Sequence, residues 1–312
     1  MIQKVLPAIC LTWVLAACES QRSEDTSSLS SSAADDAPAA SVGPTEGKTF
    51  APDGVEIHYR VLGSKRQTSD PTLVFVHGWS CNTAFWREQL SVFAENYRVV
   101  ALDLGGHGQS GTDRGVWTIA GLAQDVQAVA DELKLRKVVL IGHSMGGPVS
   151  LAAAARMPDR VEGVIGVDTL HNADIEYPVE QVGQMMAAFQ ADFGGSMKGM
   201  FEGMGGASLT PELRDWIVAE AQQTDPEVAV ALFADFARIS LPDMLQNANT
   251  PIRVINAGPG PMTPVTEVEL NRRYADYEAV LMEGVGHFLQ LEQPQRFNTQ
   301  LQLTLDTLTG QG

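Results

Sequence analysis

The sequence predicts an α/β protein: a mostly parallel, doubly wound sheet with a helical cap inserted after the strand that ends at Asp168. Three observations carry this expectation. Short, continuous β-branched runs recur from residue 55 onward, as in strands buried on both faces of a parallel sheet. Amphipathic stretches alternate with them, and alternation of that kind folds as an open sheet with helices on both faces. Between about residues 170 and 245 the strand signal vanishes and helical sequence with several methionines replaces it.

The chain begins before any of these elements. Residues 1–20 read MIQKVLPAICLTWVLAACES. Lys4 gives a positive start, and residues 5–17 form an apolar run too short to span a bilayer comfortably, which suits a signal peptide over residues 1–17. Leu15-Ala16-Ala17-Cys18 resembles the lipobox of bacterial lipoproteins. That resemblance implies a diacylglyceride on the Cys18 thiol, cleavage before it and acylation of the new amino group, palmitate being a usual chain. Several acyl chains hold a protein at a membrane where one does not. Cys10 is a poorer site because Ile9 is bulky. Glu19 follows the cysteine, where an Asp would point to inner-membrane retention, so the expected place is the periplasmic side of the outer membrane, with ordinary secretion as the alternative. Residues 18–48 are rich in Ser, Ala, Asp, Glu and Pro and read as a disordered tether.

The folded part follows, with a core over residues 49–169 and 246–312 and a cap over residues 170–245. Strands are expected at 55–59 (VEIHY), 72–76 (TLVFV), 98–103 (RVVALD), 137–142 (KVVLIG), 163–168 (GVIGVD), 252–256 (IRVIN) and 279–282 (AVLM). Residues 84–95, 118–133, 145–157 and 297–308 carry apolar positions at helical spacing. A net charge of −17 argues against nucleic acid as a partner. Three cysteines, two of them in the leader region, build no disulfide framework. The sequence has neither metal-ligand Cys/His spacing nor a phosphate-binding glycine loop, so no metal or organic cofactor is expected.

Gly142-His143-Ser144-Met145-Gly146 fits G-x-S-x-G between a strand and a helix. A serine there sits on a sharp, strained turn that lifts its hydroxyl toward solvent, and the glycines are needed because side chains would collide with strand and helix. Together with VFVHGW at 74–79, DLGGHGQS at 103–110 and GVGHF at 284–288, this motif resembles the α/β-hydrolase fold family over residues 50–308, well in the sheet and poorly in the cap. The resemblance implies Ser144 as nucleophile, His287 as general base, and an oxyanion hole formed by the N–H groups of Trp79 and Met145. By the same likeness His77 orders its loop, and His107 and His143 are structural. His58 reads as a strand-surface residue, and His171 as a turn histidine at the cap entrance that alternatively touches substrate. Cys81 reads as a small buried hydrophobe.

The family's usual acid position, after the next-to-last strand, reads Asn256-Ala-Gly-Pro-Gly-Pro-Met-Thr-Pro264 and holds no carboxylate. Some members, haloalkane dehalogenases among them, carry the acid one strand earlier, where this chain has Asp168. Asp243 and Glu267 remain rivals: the first looks like a helix cap, and the second, with Glu269, falls at a helix start. A Ser-His-Asp set implies hydrolysis of a carboxylic ester, thioester or lactone through an acyl-enzyme. Serine at the elbow argues against dehalogenase and epoxide-hydrolase chemistry, which use Asp there. Cofactor-free perhydrolase chemistry, carbon–carbon bond hydrolysis and a non-catalytic binding role are the alternatives. The expected substrate is a small molecule with an apolar portion; the methionines at 185, 186, 197, 200 and 204 read either as an adaptable lining for it or as plain packing of the cap.

Overall fold

The structure, a computed structural model, describes residues 44–64, 70–174, 178–258 and 270–310. The leader, Cys18, all but the last residues of the expected tether, and Glu267 and Glu269 lie outside the described residues.

The strands are β1 (Thr45–Phe50), β2 (Glu56–Leu62), β3 (Thr72–Val76), β4 (Val99–Leu102), β5 (Val138–His143), β6 (Val161–Val167), β7 (Ile252–Ala257) and β8 (Tyr277–Met282). Their order across the sheet is β1-β2-β4-β3-β5-β6-β7-β8. The pairs β1·β2 and β2·β4 are antiparallel, and every later pair is parallel. Chain order reverses at β3 and β5, so the loops after these two strands meet at the switch point where open α/β sheets bind ligands.

The expected two-sided burial is visible residue by residue. Leu73, Phe75, Val139, Ile141, Ile165, Val167 and Ile255 face one apolar layer, while Val74, Val76, Val138, Leu140, Val164 and Val254 face the other. Neither set is in water, which explains the lack of polar alternation in these strands. A 3-10 turn, Thr83–Trp86, leads into α1 (Arg87–Ala94), which covers the first layer together with α10 (Pro294–Thr309). The second layer is covered by α2 (Ile119–Glu132) and α3 (Gly146–Arg156).

The cap contains α4 (Val179–Ala191), α5 (Phe193–Gly203), α6 (Pro211–Ala221) and α7 (Pro226–Phe236). Thr210 and Asp225 cap α6 and α7 with their side chains, each followed by a proline whose missing N–H costs nothing in the first turn. The next helix, α8 (Leu241–Ala248), straddles the expected cap boundary at residue 245 and lies against α3, so the cap's own helices end with α7. A short helix, α9 (Leu289–Glu292), precedes α10.

Two further expectations change. The tether was expected to run to residue 48, but β1 starts at Thr45 and pairs with β2 from Thr45↔Val61 to Phe50↔Glu56. His58 is not on the surface: it is 2% exposed, and its Nδ1 lies 3.3 Å from Asp103 Oδ2. Among the described residues no helix is long and apolar enough to cross a membrane.

Candidate active site

Ser144 stands between β5 and α3 with φ 52°, a left-handed conformation that costs a non-glycine residue about 1–3 kcal/mol. Neighbouring contacts hold it there. Its N–H donates to Val167 O (3.0 Å), and its own carbonyl accepts from Gly147 N–H (2.9 Å) and Thr169 Oγ1 (2.7 Å). The end of β6 thus grips both sides of the Ser144 residue. The glycines are steric necessities: a Cβ on Gly142 would lie 2.2 Å from Gly146 O, and one on Gly146 would lie 2.4 Å from Val76 O.

The loop after β3 faces the serine closely enough that a Cβ on Gly78 would lie 3.1 Å from Ser144 Cβ. Two buried imidazoles shape it. His77 donates from Nδ1 to Gly78 O (2.8 Å) and accepts at Nε2 from Leu104 N–H (2.9 Å). His107 donates from Nδ1 to Gly105 O (3.0 Å) and accepts at Nε2 from Ser80 N–H (3.2 Å). A ring that accepts at one nitrogen must be neutral, and burial works the same way, lowering the pKa of His77 and bringing His107 down to about 3. The Trp79 and Met145 N–H groups take part in none of these bonds. The Trp79 side chain reaches up into the cap, where Nε1 donates to Ala229 O (2.8 Å) and the ring packs on Phe189, Phe201 and Phe233 at centroid distances of 5.3, 6.2 and 5.6 Å. Cys81 is buried beside it, with Sγ 3.4 Å from Trp79 O, and burial pushes its thiol pKa far up.

His287 follows β8 on the loop before α9. Its Nδ1 lies 2.6 Å from Asp168 Oδ2. A carboxylate only accepts, so the proton is on Nδ1 and the Nε2 lone pair is left for another donor. The loop itself is fixed by His143, the residue before Ser144: His143 Nε2 donates to His287 O (2.9 Å) and the two rings stand 4.7 Å apart. Burial, then repulsion between the two neighbouring imidazoles were both to carry charge, lower the His143 pKa to about 3.

Asp168 directly follows β6, with φ 43°, and is buried. Its Oδ1 accepts from Ala257 N–H (2.8 Å) and lies 3.3 Å from His171 Nε2. Burial opposes its charge, but the hydrogen bonds from His171 and His287 outweigh that cost and hold the carboxyl well below the usual range. The rivals are elsewhere. Asp243 is exposed in the first turn of α8, where Ser240 is the capping residue and Asp243 N–H the donor (3.4 Å). Glu267 lies outside the described residues. The structure therefore brings His287 and Asp168 together and joins their loop to the Ser144 elbow through His143.

Sequence reasoning missed Glu292, whose carboxylate links the cap to the histidine loop. It also left His171 unassigned between two roles. Nothing in the spacing of Asp168 and His171 reveals that the ring folds back onto the carboxylate. Among the described residues no group of three or more His, Cys, Asp or Glu side chains is placed to hold a metal ion.

A family model described as "alpha/beta hydrolase fold" matches residues 71–294. A 3-oxoadipate enol-lactonase from Acinetobacter baylyi is 25% identical over 265 residues, covering 80% of this chain and 93% of that protein. Among solved structures, Est816, described as an N-acyl homoserine lactone degrading enzyme, is 28% identical with a TM-score of 0.69, covering 81% of this chain and 98% of the other. A bromoperoxidase from Bacillus anthracis has a TM-score of 0.75 at 20% identity, covering 84% and 100% of the two chains, a likeness of fold.

Proposed function

The chain belongs to the α/β-hydrolase family and is a hydrolytic enzyme of that fold, and from this premise we propose that it is a serine hydrolase of carboxylic esters and lactones. Ser144 Oγ attacks the substrate carbonyl carbon while its proton passes to His287 Nε2. Asp168 holds the ring in the required tautomer and stabilises the imidazolium. The N–H groups of Trp79 and Met145 take the negative charge that develops on the carbonyl oxygen, donors of a kind worth about 3 kcal/mol each. The tetrahedral species collapses, the leaving alkoxide takes the proton from His287, and an ester on Ser144 remains. Water, deprotonated by the same imidazole, attacks that ester and regenerates the serine.

The observation that carries this reading is the His287–Asp168 pair at 2.6 Å beside a strained serine turn. Lactones stand beside linear esters because the enol-lactonase and Est816 are named for lactone substrates. An apolar acyl portion is favoured by the apolar surroundings of the loop after β3, where Trp79 packs with the cap residues Phe189, Phe201 and Phe233. A fluorophosphonate probe should label wild-type protein at Ser144 and leave Ser144→Ala unlabelled, and p-nitrophenyl esters of rising chain length with matched lactones should be turned over by the wild type alone. A wild type that neither labels nor hydrolyses would return the chain to the binding-protein alternative.

We also propose that Cys18 is the lipid attachment point, on the strength of Leu15-Ala16-Ala17-Cys18. Incorporation of an alkynyl palmitate probe into the wild type, absent from Cys18→Ser, tests it.

A further inference from the structure

The two peptide groups that flank His287 are anchored to different parts of the molecule. Its carbonyl is held from the elbow side by His143 Nε2 (2.9 Å). Its N–H donates to Met204 O (2.9 Å), at the end of cap helix α5. The general-base loop therefore hangs between the nucleophile turn and the cap.

Glu292, on α9, closes this second attachment. Its Oε2 accepts from Gly286 N–H (3.0 Å) in the histidine loop and from Ser208 Oγ (2.9 Å) in the cap, while Oε1 accepts from Gly206 N–H (3.3 Å), also in the cap. One carboxylate thus ties residues 206 and 208 to the residue before His287. The backbones are pressed together at this point: a Cβ on Gly206 would lie 2.1 Å from Gly286 N, and one on Gly286 would lie 2.1 Å from Gly206 N. Neither glycine has a positive φ, so close approach and not backbone conformation accounts for both. One residue beyond His287, the ring of Phe288 stacks on Phe201 of α5 at 5.7 Å and 25°.

All three donors to Glu292 are neutral, and hydrogen bonds to an ionised acceptor are about twice as strong as neutral ones. Losing the carboxylate strands two backbone N–H groups at a partly buried seam. The penalty falls on the segment whose position decides whether Nε2 can reach the serine. Positioning errors of about 1 Å at a reacting group cost up to ~100-fold in rate.

We propose that Glu292 is a positioning residue that clamps the cap segment 204–208 to the histidine loop, so that the seating of the cap sets the placement of His287. The inference rests on the serine-hydrolase reading for its kinetic consequence and not for its structural one. Cap residues that touch no reacting atom then govern the efficiency of the general base, and a substrate that lifts the cap loosens His287.

The experiment uses the full chain with Glu292→Ala, Glu292→Gln and Ser208→Ala. Amide hydrogen exchange is followed across residues 204–208 and 284–288, and kcat, KM and fluorophosphonate labelling rate are measured with a short activated ester. In Glu292→Ala, exchange in both segments should rise together by about tenfold, kcat and labelling rate should fall by about tenfold, and KM should stay within twofold. Glu292→Gln, which keeps an acceptor oxygen, should recover most of the loss, and Ser208→Ala should show a smaller version of it. Unchanged exchange in the histidine loop overturns the clamp. So does wild-type kcat and labelling in a variant that has lost only thermal stability. A wild type inert to the probe counts against the serine reading alone, and the paired exchange of the two segments then decides the clamp.

Discussion

Asp168 Oδ2 and His287 Nδ1 stand 2.6 Å apart across 119 residues of sequence, and the carboxylate comes from the end of β6, not β7. The end of β7 supplies Asn256 instead, which uses its Oδ1 to accept Thr169 N–H (3.1 Å) and so shapes the turn that carries Asp168. Asp168→Asn leaves a side chain of the same shape that can present an N–H to the ring. His287 then turns its lone pair toward residue 168 and its proton toward the serine, the wrong tautomer for a base. We expect kcat to fall by about ten-thousandfold at neutral pH with little change in thermal midpoint, read by steady-state kinetics and calorimetry. Equal loss in Asp243→Asn would move the acid elsewhere.

Much of this was legible in the chain. Runs such as TLVFV identify strands because both faces are buried, and the G-x-S-x-G turn is spelled by the glycines its geometry demands. β1 was not legible: TEGKTF is largely exposed, so its pairing with β2 leaves no apolar signature. His58 misled for a related reason. Alternation in EIHYR gives faces but not depth, and the Asp103 carboxylate that receives the ring lies 45 residues away. The contacts of Glu292 with Gly206 and Ser208 span 86 and 84 residues through a cap with no motif of its own, so only the folded chain reveals them.

The strain at Ser144 gives a stability prediction. Ser144→Ala removes the proposed nucleophile and keeps a Cβ at φ 52°. Ser144→Gly removes both. Both variants should be inactive, but urea denaturation should find Ser144→Gly more stable than Ser144→Ala by about 1 kcal/mol, a sign opposite to glycine's usual entropic penalty. A glycine variant less stable than the alanine one would mean that the turn is relaxed.

His171 Nε2, 3.3 Å from Asp168 Oδ1, separates two roles by kinetics. As a second donor to the carboxylate it acts on the transition state through His287 and never meets substrate. His171→Phe should then lower kcat by about tenfold at constant KM, the size of one hydrogen bond to a charged group. A rise in KM at constant kcat would place the ring against substrate at the cap entrance.

Buried neutral histidines fix the pH limits of folding. His107 and His143 are both held near 3 by burial, whereas in the unfolded chain each titrates near 6.5. Below about pH 6.5 each of these two rings therefore takes up a proton in the unfolded state that the folded state refuses, and stability present above that pH is lost as acid is added, at about 1.4 kcal/mol per pH unit for each ring. Asp125 opposes one of them. Burial, only partly countered by Arg114, raises its carboxyl to about 6, so the folded state gains a proton first between about pH 6 and 4. The net expectation over that interval is at least one proton, a loss of roughly 1.4 kcal/mol per unit, made steeper by His77, whose pKa burial also lowers. Urea midpoints at pH 7, 6, 5 and 4 should fall on this slope, and His107→Gln, which keeps a side chain able to bond both Gly105 O and Ser80 N–H, should flatten it. A midpoint that holds steady from pH 7 to pH 4 in the wild type would mean that these rings are protonated inside the fold.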